Sequence, residues 1–173
     1  MIEYRRPRLD EAETFAALHV QCWREAYVDI LPTELLNSFT DKIRLPLWQS
    51  VIPNADRFVL AAYADGMAVG FVISGGSDER FVENQDGHLW GLYISAGYGR
   101  RGIGRKLIAS AASDWLTKGG INMTIGVLAE NIRARMFYEA LGAKLVRLGT
   151  YEWDGYPLPD TLYIFENLPA LIP

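Results

Sequence analysis

His88-Leu89-Trp90-Gly91-Leu92-Tyr93-Ile94 is an apolar run, Gly97 to Gly104 breaks it, and Leu107, Ile108, Ala111, Ala112, Trp115 and Leu116 then recur at helical spacing as far as Gly119-Gly120. That order predicts strand, loop and helix, with the paired glycines as terminator. Within the loop, Gly99-Arg100-Arg101-Gly102-Ile103-Gly104 stands where a helix begins, so its backbone N–H groups have no partners inside the helix and the helix dipole favours an anion. It reads as a phosphate cradle. Glycine at 102 and 104 would let a pyrophosphate touch the backbone, and Arg100, Arg101 and Arg105 add positive charge. Two other phosphate loops fail on residues. A P-loop needs Lys-Ser or Lys-Thr after its last glycine, where Arg105-Lys106 stands, and a dinucleotide fingerprint needs Gly or Ala three places after Gly104, where Leu107 stands. The plain alternative is a glycine turn that only starts a helix.

Working outward, Ile2 to Arg6 reads as an opening strand, and Asp10 is placed to cap a helix that reaches Tyr27 through Phe15, Leu18, Cys22, Trp23 and Ala26. A second helical piece in two parts follows Pro32 and ends at Pro53-Asn54. Phe58–Tyr63 and Ala68–Ile73 are apolar runs split by Asp65-Gly66, a β-hairpin signature. Ser74 to Asp86 reads as a loop. Beyond the cradle helix, Asn122 to Leu128 is a strand, Ile132 to Leu141 a helix closed by Gly142, and Lys144–Tyr151 and Leu162–Glu166 are final strands. Hairpins mixed with crossover helices imply one mixed sheet flanked by helices, of α/β or α+β class. At 173 residues, with neither repeat nor linker, residues 1–173 are expected to form a single domain.

Leu92-Tyr93-Ile94 followed by Tyr98 to Gly104 resembles motif A of the GNAT superfamily of N-acetyltransferases. Leu128-Ala129-Glu130-Asn131-Ile132-Arg133-Ala134-Arg135-Met136-Phe137-Tyr138-Glu139-Ala140-Leu141-Gly142-Ala143 is similar to its motif B, with Asn, Ala, Phe-Tyr and Leu-Gly at matching spacings. Two long motifs in the right order are far more specific than a glycine loop alone. The resemblance implies a sheet splayed between its fourth and fifth strands and acetyl-CoA (coenzyme A) as cofactor. Backbone groups of Leu92, Tyr93 and Ile94 would bond the pantetheine arm, backbone N–H groups from Gly99, Arg100, Arg101, Gly102, Ile103, Gly104 and Arg105 would hold the pyrophosphate, and Asn131 would contact the cofactor. Tyr138 would place its hydroxyl beside the sulfur. Gly99 stands where motif A carries Gln or Arg, and Ala143 where an aromatic residue is common.

The activity implied is transfer of an acetyl group to a primary amine of a small molecule, peptide or protein. A phenol with a pKa near ~10 suits the leaving thiolate, which makes Tyr138 the candidate general acid, and a backbone N–H near Leu92 or Tyr93 is the natural donor to the thioester carbonyl. A core tyrosine at 138 and a plain helix cap at Asn131 are the bland readings of the same residues. The base is harder to name. His88 shares a strand face with Trp90 and Leu92 and titrates near neutral pH, with Glu25, Glu83 and Asp86 as rivals. In the superfamily the first helices border the acceptor cleft, so Trp23, Glu25, Tyr27 and Trp90 are acceptor-side candidates, an aromatic wall with a carboxylate that can hold a cation.

Composition narrows the classes. Half the residues are hydrophobic and 22% charged, which is globular, and the net charge of −4 opposes a nucleic-acid partner. Arg100, Arg101, Arg105 and Lys106 make a small basic patch at one helix start. Cys22 is the single cysteine, so no intrachain disulfide forms and a reducing cytoplasm is expected. No apolar run reaches the roughly 18–20 residues of a membrane span, and no metal site is expected. A homodimer and a non-catalytic acyl-CoA sensor remain open alternatives.

Overall fold

Asp65 and Gly66 turn the chain with φ values of 49° and 82°, and the flanking strands β2 (Phe58–Ala64) and β3 (Met67–Gly76) pair antiparallel, as a two-residue turn with two positive φ angles dictates. The computed structural model describes residues 1–76, 87–153 and 155–173. Around the hairpin it places β1 (Ile2–Arg5), β4 (Gly87–Ile94), β5 (Met123–Leu128), β6 (Lys144–Trp153) and β7 (Tyr156–Phe165) in one seven-stranded sheet of order β1-β2-β3-β4-β5-β7-β6. Every neighbouring pair is antiparallel except β4 with β5.

That one parallel pair is short. His88 faces Thr124 and Leu89 faces Ile125, and there the pairing stops. From Trp90 onward β4 is held by β3, and from Gly126 onward β5 is held by β7, so the sheet splays between its fourth and fifth strands.

Among the described residues five α-helices flank the sheet: α1 (Ala12–Tyr27), α2 (Thr33–Ser38), α3 (Asp41–Val51), α4 (Ile103–Thr117) and α5 (Ile132–Ala140). The apolar run of β3 explains the layering, because consecutive residues of a strand point to opposite faces. Phe71 joins Phe15, Cys22 and Trp48 beneath α1 and α3, whereas Val72 joins Leu107, Ile108 and Ala111 of α4 on the other side. A strand buried on both faces carries a continuous apolar sequence rather than an alternating one. No helix of the described residues is long and apolar enough to cross a membrane.

Three local expectations change. Ser74 to Gly76 belong to β3 rather than to a loop. β7 begins at Tyr156, well before the expected Leu162, because Pro157 and Pro159 pair only with β6, beyond the end of β5 at Asp160, where missing donors interrupt no central ladder. Asp10 does not cap α1. It lies in a 3₁₀ turn with its carboxylate accepting from Arg8 Nε at 3.1 Å, and the neighbouring Glu11 organises the helix start instead.

Glu11 accepts from Arg8 N and from both terminal nitrogens of Arg5, all at 2.8 Å, and from the Tyr63 hydroxyl at 3.2 Å. These bonds, above all those from Arg5, hold its carboxyl near 2 instead of 4.5. The depressed value fixes the sign: the stabilisation is complete above about pH 4.5 and is lost as pH falls toward 2. With the Glu11 side chain only 15% exposed, about 2–3 kcal/mol should be at stake. Urea unfolding at pH 6 and pH 3 is expected to show a smaller acid loss for Glu11→Gln than for the wild type; equal losses would remove Glu11 as the cause.

Candidate active site

Where β4 and β5 part, a groove of ≈ 870 Å³ opens. Trp90 to Ile94 of β4 line one side, Ile125 to Val127 of β5 another, and Asn131 to Ala134, Phe137 and Tyr138 close it from α5. Cys22, Glu25, Ala26 and Tyr27 contribute from α1. Beyond Leu89 the β5-facing edge of β4 has no strand against it, so main-chain groups there can bond an extended ligand as they would a neighbouring strand.

At one end the groove meets the glycine loop. Gly102 is the N-cap of α4 with φ 79°, and Lys106 N donates to Gly102 O as the first helical bond. The N–H groups of Ile103, Gly104 and Arg105 are therefore left over at the helix start, the arrangement that receives an anion. Arg100 is left-handed too, at φ 60°, a conformation that costs a non-glycine residue about 1 kcal/mol and persists where surroundings fix it. Ala96, Gly97, Gly99, Arg100, Arg101 and Arg133 enclose a recess of ≈ 480 Å³ here. Arg133 is the residue that sequence reading passed over. Its guanidinium stands 3.1 Å from where a Cβ on Gly99 would be, so Gly99 leaves room for a cation delivered from α5. Its place two residues after Asn131, in the first turn of the motif B helix, was the available signal.

The two loop glycines have different reasons. A Cβ at Gly102 would meet nothing within 4 Å, so its positive φ is what requires glycine. A Cβ at Gly104 would come within 3.1 Å of Phe137 Cζ and 3.2 Å of Ile94 Cδ1. Its lack of a side chain thus serves the packing of α4 against α5 and β4 and not only access to the loop backbone.

At the other end three phenols converge. Tyr138 is 5% exposed and lines the groove, and burial pushes its hydroxyl up, with Tyr27 adding to the effect. Burial likewise raises Tyr27 and Tyr93, and Tyr93 also feels Tyr27, Tyr138 and Cys22. The Tyr93 phenol is thereby a groove element in its own right, whereas sequence reading used only the backbone of that residue. Asn131 serves two sides. Its Oδ1 accepts from Ala134 N at 3.1 Å and caps α5, and its side chain also acts on the Tyr27 hydroxyl. The Cys22 thiol, pushed up to about 12 mainly by burial, is an inert part of the wall.

The remaining candidates separate. Trp90 and Tyr27 line the groove. Trp23 does not; it is stacked on Phe39, 4.2 Å between centroids, behind Tyr27 at 5.3 Å. Glu25 is on the lining, but its carboxylate accepts from Ala96 N at 2.7 Å and from Gln21 Nε2 at 2.8 Å, fastening α1 to the loop that follows β4. The structure does not bring His88 to the groove. It sits at the closed end, where β4 and β5 still pair, with Nδ1 2.8 Å from Thr124 Oγ1, whose hydroxyl donates to Gly87 O. Sharing a face with Trp90 is not enough, because the strands part only beyond Leu89. Glu83 and Asp86 lie outside the described residues. Among the described residues no group of three His, Cys, Asp or Glu side chains is placed to hold a metal ion.

Comparison with known proteins gives consistent results. The model of the acetyltransferase (GNAT) family matches residues 13–143. The uncharacterised N-acetyltransferase YuaI of Bacillus subtilis is 29% identical over 99% of this chain and 96% of its own length. The spermidine N(1)-acetyltransferase of Thermoplasma acidophilum is 25% identical over 83% of this chain and 89% of its own. Among solved structures, the PaiA N-acetyltransferase of T. acidophilum in complex with coenzyme A superposes with a TM-score of 0.71 at 23% identity, covering 93% of this chain and 98% of that one. YncA of Salmonella typhimurium, solved with acetyl-CoA, gives 0.71 at 14% identity, covering 96% and 94%.

Proposed function

The chain belongs to the acetyltransferase (GNAT) family, an acetyl-CoA-dependent N-acetyltransferase with an amine as acceptor, and from that premise we propose how its own residues divide the work. The observation that carries the reading is the early end of β4–β5 pairing, which joins a helix-start anion site to a buried phenol through one continuous groove. Acetyl-CoA supplies an activated acetyl group as a thioester. Main-chain groups of Leu92, Tyr93 and Ile94 bind the pantetheine arm as a strand would, and the free N–H groups from Arg100 to Arg105 bind the pyrophosphate. Arg100, Arg101 and Arg133 add charge there. Asn131, with one amide atom capping α5, contacts the cofactor with the other. A backbone N–H of Leu92 or Tyr93 donates to the carbonyl oxygen, and Tyr138 keeps its proton to donate to the departing sulfur. Tyr27 and Trp90 line the acceptor side.

Two further parts of the proposal concern setting. A cytoplasmic location is supported by a lone, buried cysteine. A homodimer is supported by β6, a ten-residue edge strand with Leu145, Val146, Leu148 and Tyr151 exposed, whose open ladder a second β6 can extend. Sedimentation at micromolar concentration tests that second part.

Isothermal titration with acetyl-CoA, alongside 3′-dephospho-coenzyme A to probe the phosphate contacts, tests the core of the reading. Saturable one-site binding followed by thiol release with an amine panel is expected. A folded sample that binds neither compound would overturn it.

A further inference from the structure

α5 is held with little apolar help. Of its nine residues only Tyr138 is buried, and a helix that short does not persist on its own hydrogen bonds. Yet it carries two groove groups that must be aimed, Asn131 at its N-cap and Tyr138 in its second turn. The Tyr138 hydroxyl makes no hydrogen bond among the described residues, so its position follows from where α5 puts the ring.

A polar contact on another face fixes the helix. Tyr163 of β7 is 0% exposed, with its ring in the core cluster that holds Tyr138 and Ala143. Its hydroxyl accepts from Arg135 Nε at 2.9 Å and donates to Glu139 Oε1. Arg135 and Glu139 are four residues apart on α5, so one phenol from the sheet joins two successive turns of the helix. Among the described residues they form no ion pair with each other, and the phenol stands between them.

Arg135 also reaches back. Its Nη1 donates to Ala129 O at 3.0 Å, in the turn between β5 and α5, and its backbone N donates to Asn131 O at 3.1 Å. Ala129 N in turn donates to Pro159 O of β7 at 2.8 Å. Asn131 is therefore bracketed: the side chain of Arg135 holds the turn before it, the backbone of Arg135 holds its carbonyl, and β7 anchors both the turn and the guanidinium. Arg135, Glu139 and Tyr163 do not line the groove, so contact with a bound molecule does not account for them.

We propose that Arg135, Tyr163 and Glu139 form a clamp that sets the rotation of α5 on β7 and thereby aims Tyr138 and Asn131 into the groove. All three are positioning residues, acting on the reaction through Tyr138 and Asn131. The proposal rests on the acetyltransferase reading of the groove.

Tyr163→Phe is the sharpest test, because the ring stays in the core and the released Arg135 and Glu139 side chains can turn to water. It should lower kcat for amine acetylation about tenfold, since small misplacements of a reacting group are costly, and raise the acetyl-CoA Kd about threefold, with Tm within about 4 °C of the wild type. Arg135→Met should lose at least as much, because it frees Ala129 as well, and the double variant should lose less than the product of the two. Glu139→Gln, whose amide oxygen still accepts the phenol proton, should keep about half or more of wild-type kcat, and Glu139→Met should not. Residues that served stability alone would lower Tm and leave kcat per folded molecule unchanged. A kcat within about twofold of the wild type in Tyr163→Phe and Arg135→Met, or losses that multiply in the double variant, would overturn the clamp. If Tyr163→Phe does not fold, Arg135→Met and the two Glu139 variants decide by the same criteria.

Hydrogen exchange without cofactor keeps this test apart from the acetyltransferase reading. Amides of α5 should exchange about tenfold faster in Tyr163→Phe while those of α4 stay protected, and unchanged exchange in α5 overturns the clamp. A wild type that binds acetyl-CoA but acetylates no amine overturns the acetyltransferase reading instead, and the clamp then stands or falls on exchange and on the acetyl-CoA Kd.

Discussion

Tyr138→Phe is expected to lower kcat for amine acetylation about a hundredfold while acetyl-CoA affinity stays within about twofold. The split follows from what the hydroxyl does and does not touch. Its ionisation responds to burial and to Tyr27, and no hydrogen bond to its hydroxyl is found among the described residues, so its removal orphans no partner there and the fold should survive. The ring, against Phe137 at 5.3 Å, stays in place and continues to shape the groove. What is lost is a proton held where a sulfur would leave. Burial raises the phenol above its ordinary 10.0, so the protonated form persists through neutral and mildly alkaline pH. Hence activity should not fall below about pH 9 through loss of that proton, and an alkaline decline there would belong to another group. Tyr27→Phe and Tyr93→Phe are the controls, since all three phenols meet in one place. A Tyr138→Phe enzyme with wild-type kcat from pH 6 to 9, or equal losses in all three variants, would remove Tyr138 as the specific acid.

How much of this was legible in the sequence depends on whether the cause is local. Asp65-Gly66 specifies its own hairpin, since two adjacent positive φ angles are written in the residue types. The strand, loop and helix around Gly102 are likewise set by local chemistry. The splay came from resemblance to a family, because periodicity says nothing about where a parallel pair stops, and that stopping point after Leu89 decides everything in the groove. The same point explains His88: alternation along β4 put it on one face with Trp90 and Leu92, but a register shift opposite Trp90 sends Leu92 to the other face, and alternation could not say that His88 lies on the paired side of the divide. Pro157 and Pro159 concealed the first half of β7, since tolerance of a missing donor depends on which neighbour lies across from it. The setting of Arg44 was invisible for a similar reason. In Asp41-Lys42-Ile43-Arg44 a cation reads as part of a solvated helix face, and only the approach of Phe39 and Trp153, from α2's end and β6, leaves it half-buried.

Gly104→Val is expected to destabilise the protein by about 2–3 kcal/mol, a fall in Tm of roughly 5–10 °C for a domain of this size, and to weaken acetyl-CoA binding as a consequence. The first branch atom would already sit 3.1 Å from Phe137 and 3.2 Å from Ile94, and valine adds two methyl groups in a helix that disfavours β-branching. Phe137 is the neighbour of Tyr138, so displacing it disturbs both ends of the groove. Gly104→Ala separates the two reasons for glycine. Its single methyl meets the far ends of two side chains that can yield by a few tenths of an ångström, and alanine recovers about 1 kcal/mol of helix propensity. If Gly104 serves mainly the approach of α4 to α5 and β4, Gly104→Ala should melt within a few degrees of the wild type and bind acetyl-CoA within about threefold. A Gly104→Ala protein of unchanged Tm whose affinity falls tenfold or more would return the glycine to the phosphate cradle, with the side chain excluded by the ligand rather than by the protein. Gly102→Ala provides the contrast, since no atom opposes its Cβ and its penalty, about 1 kcal/mol, comes from the backbone at φ 79° alone.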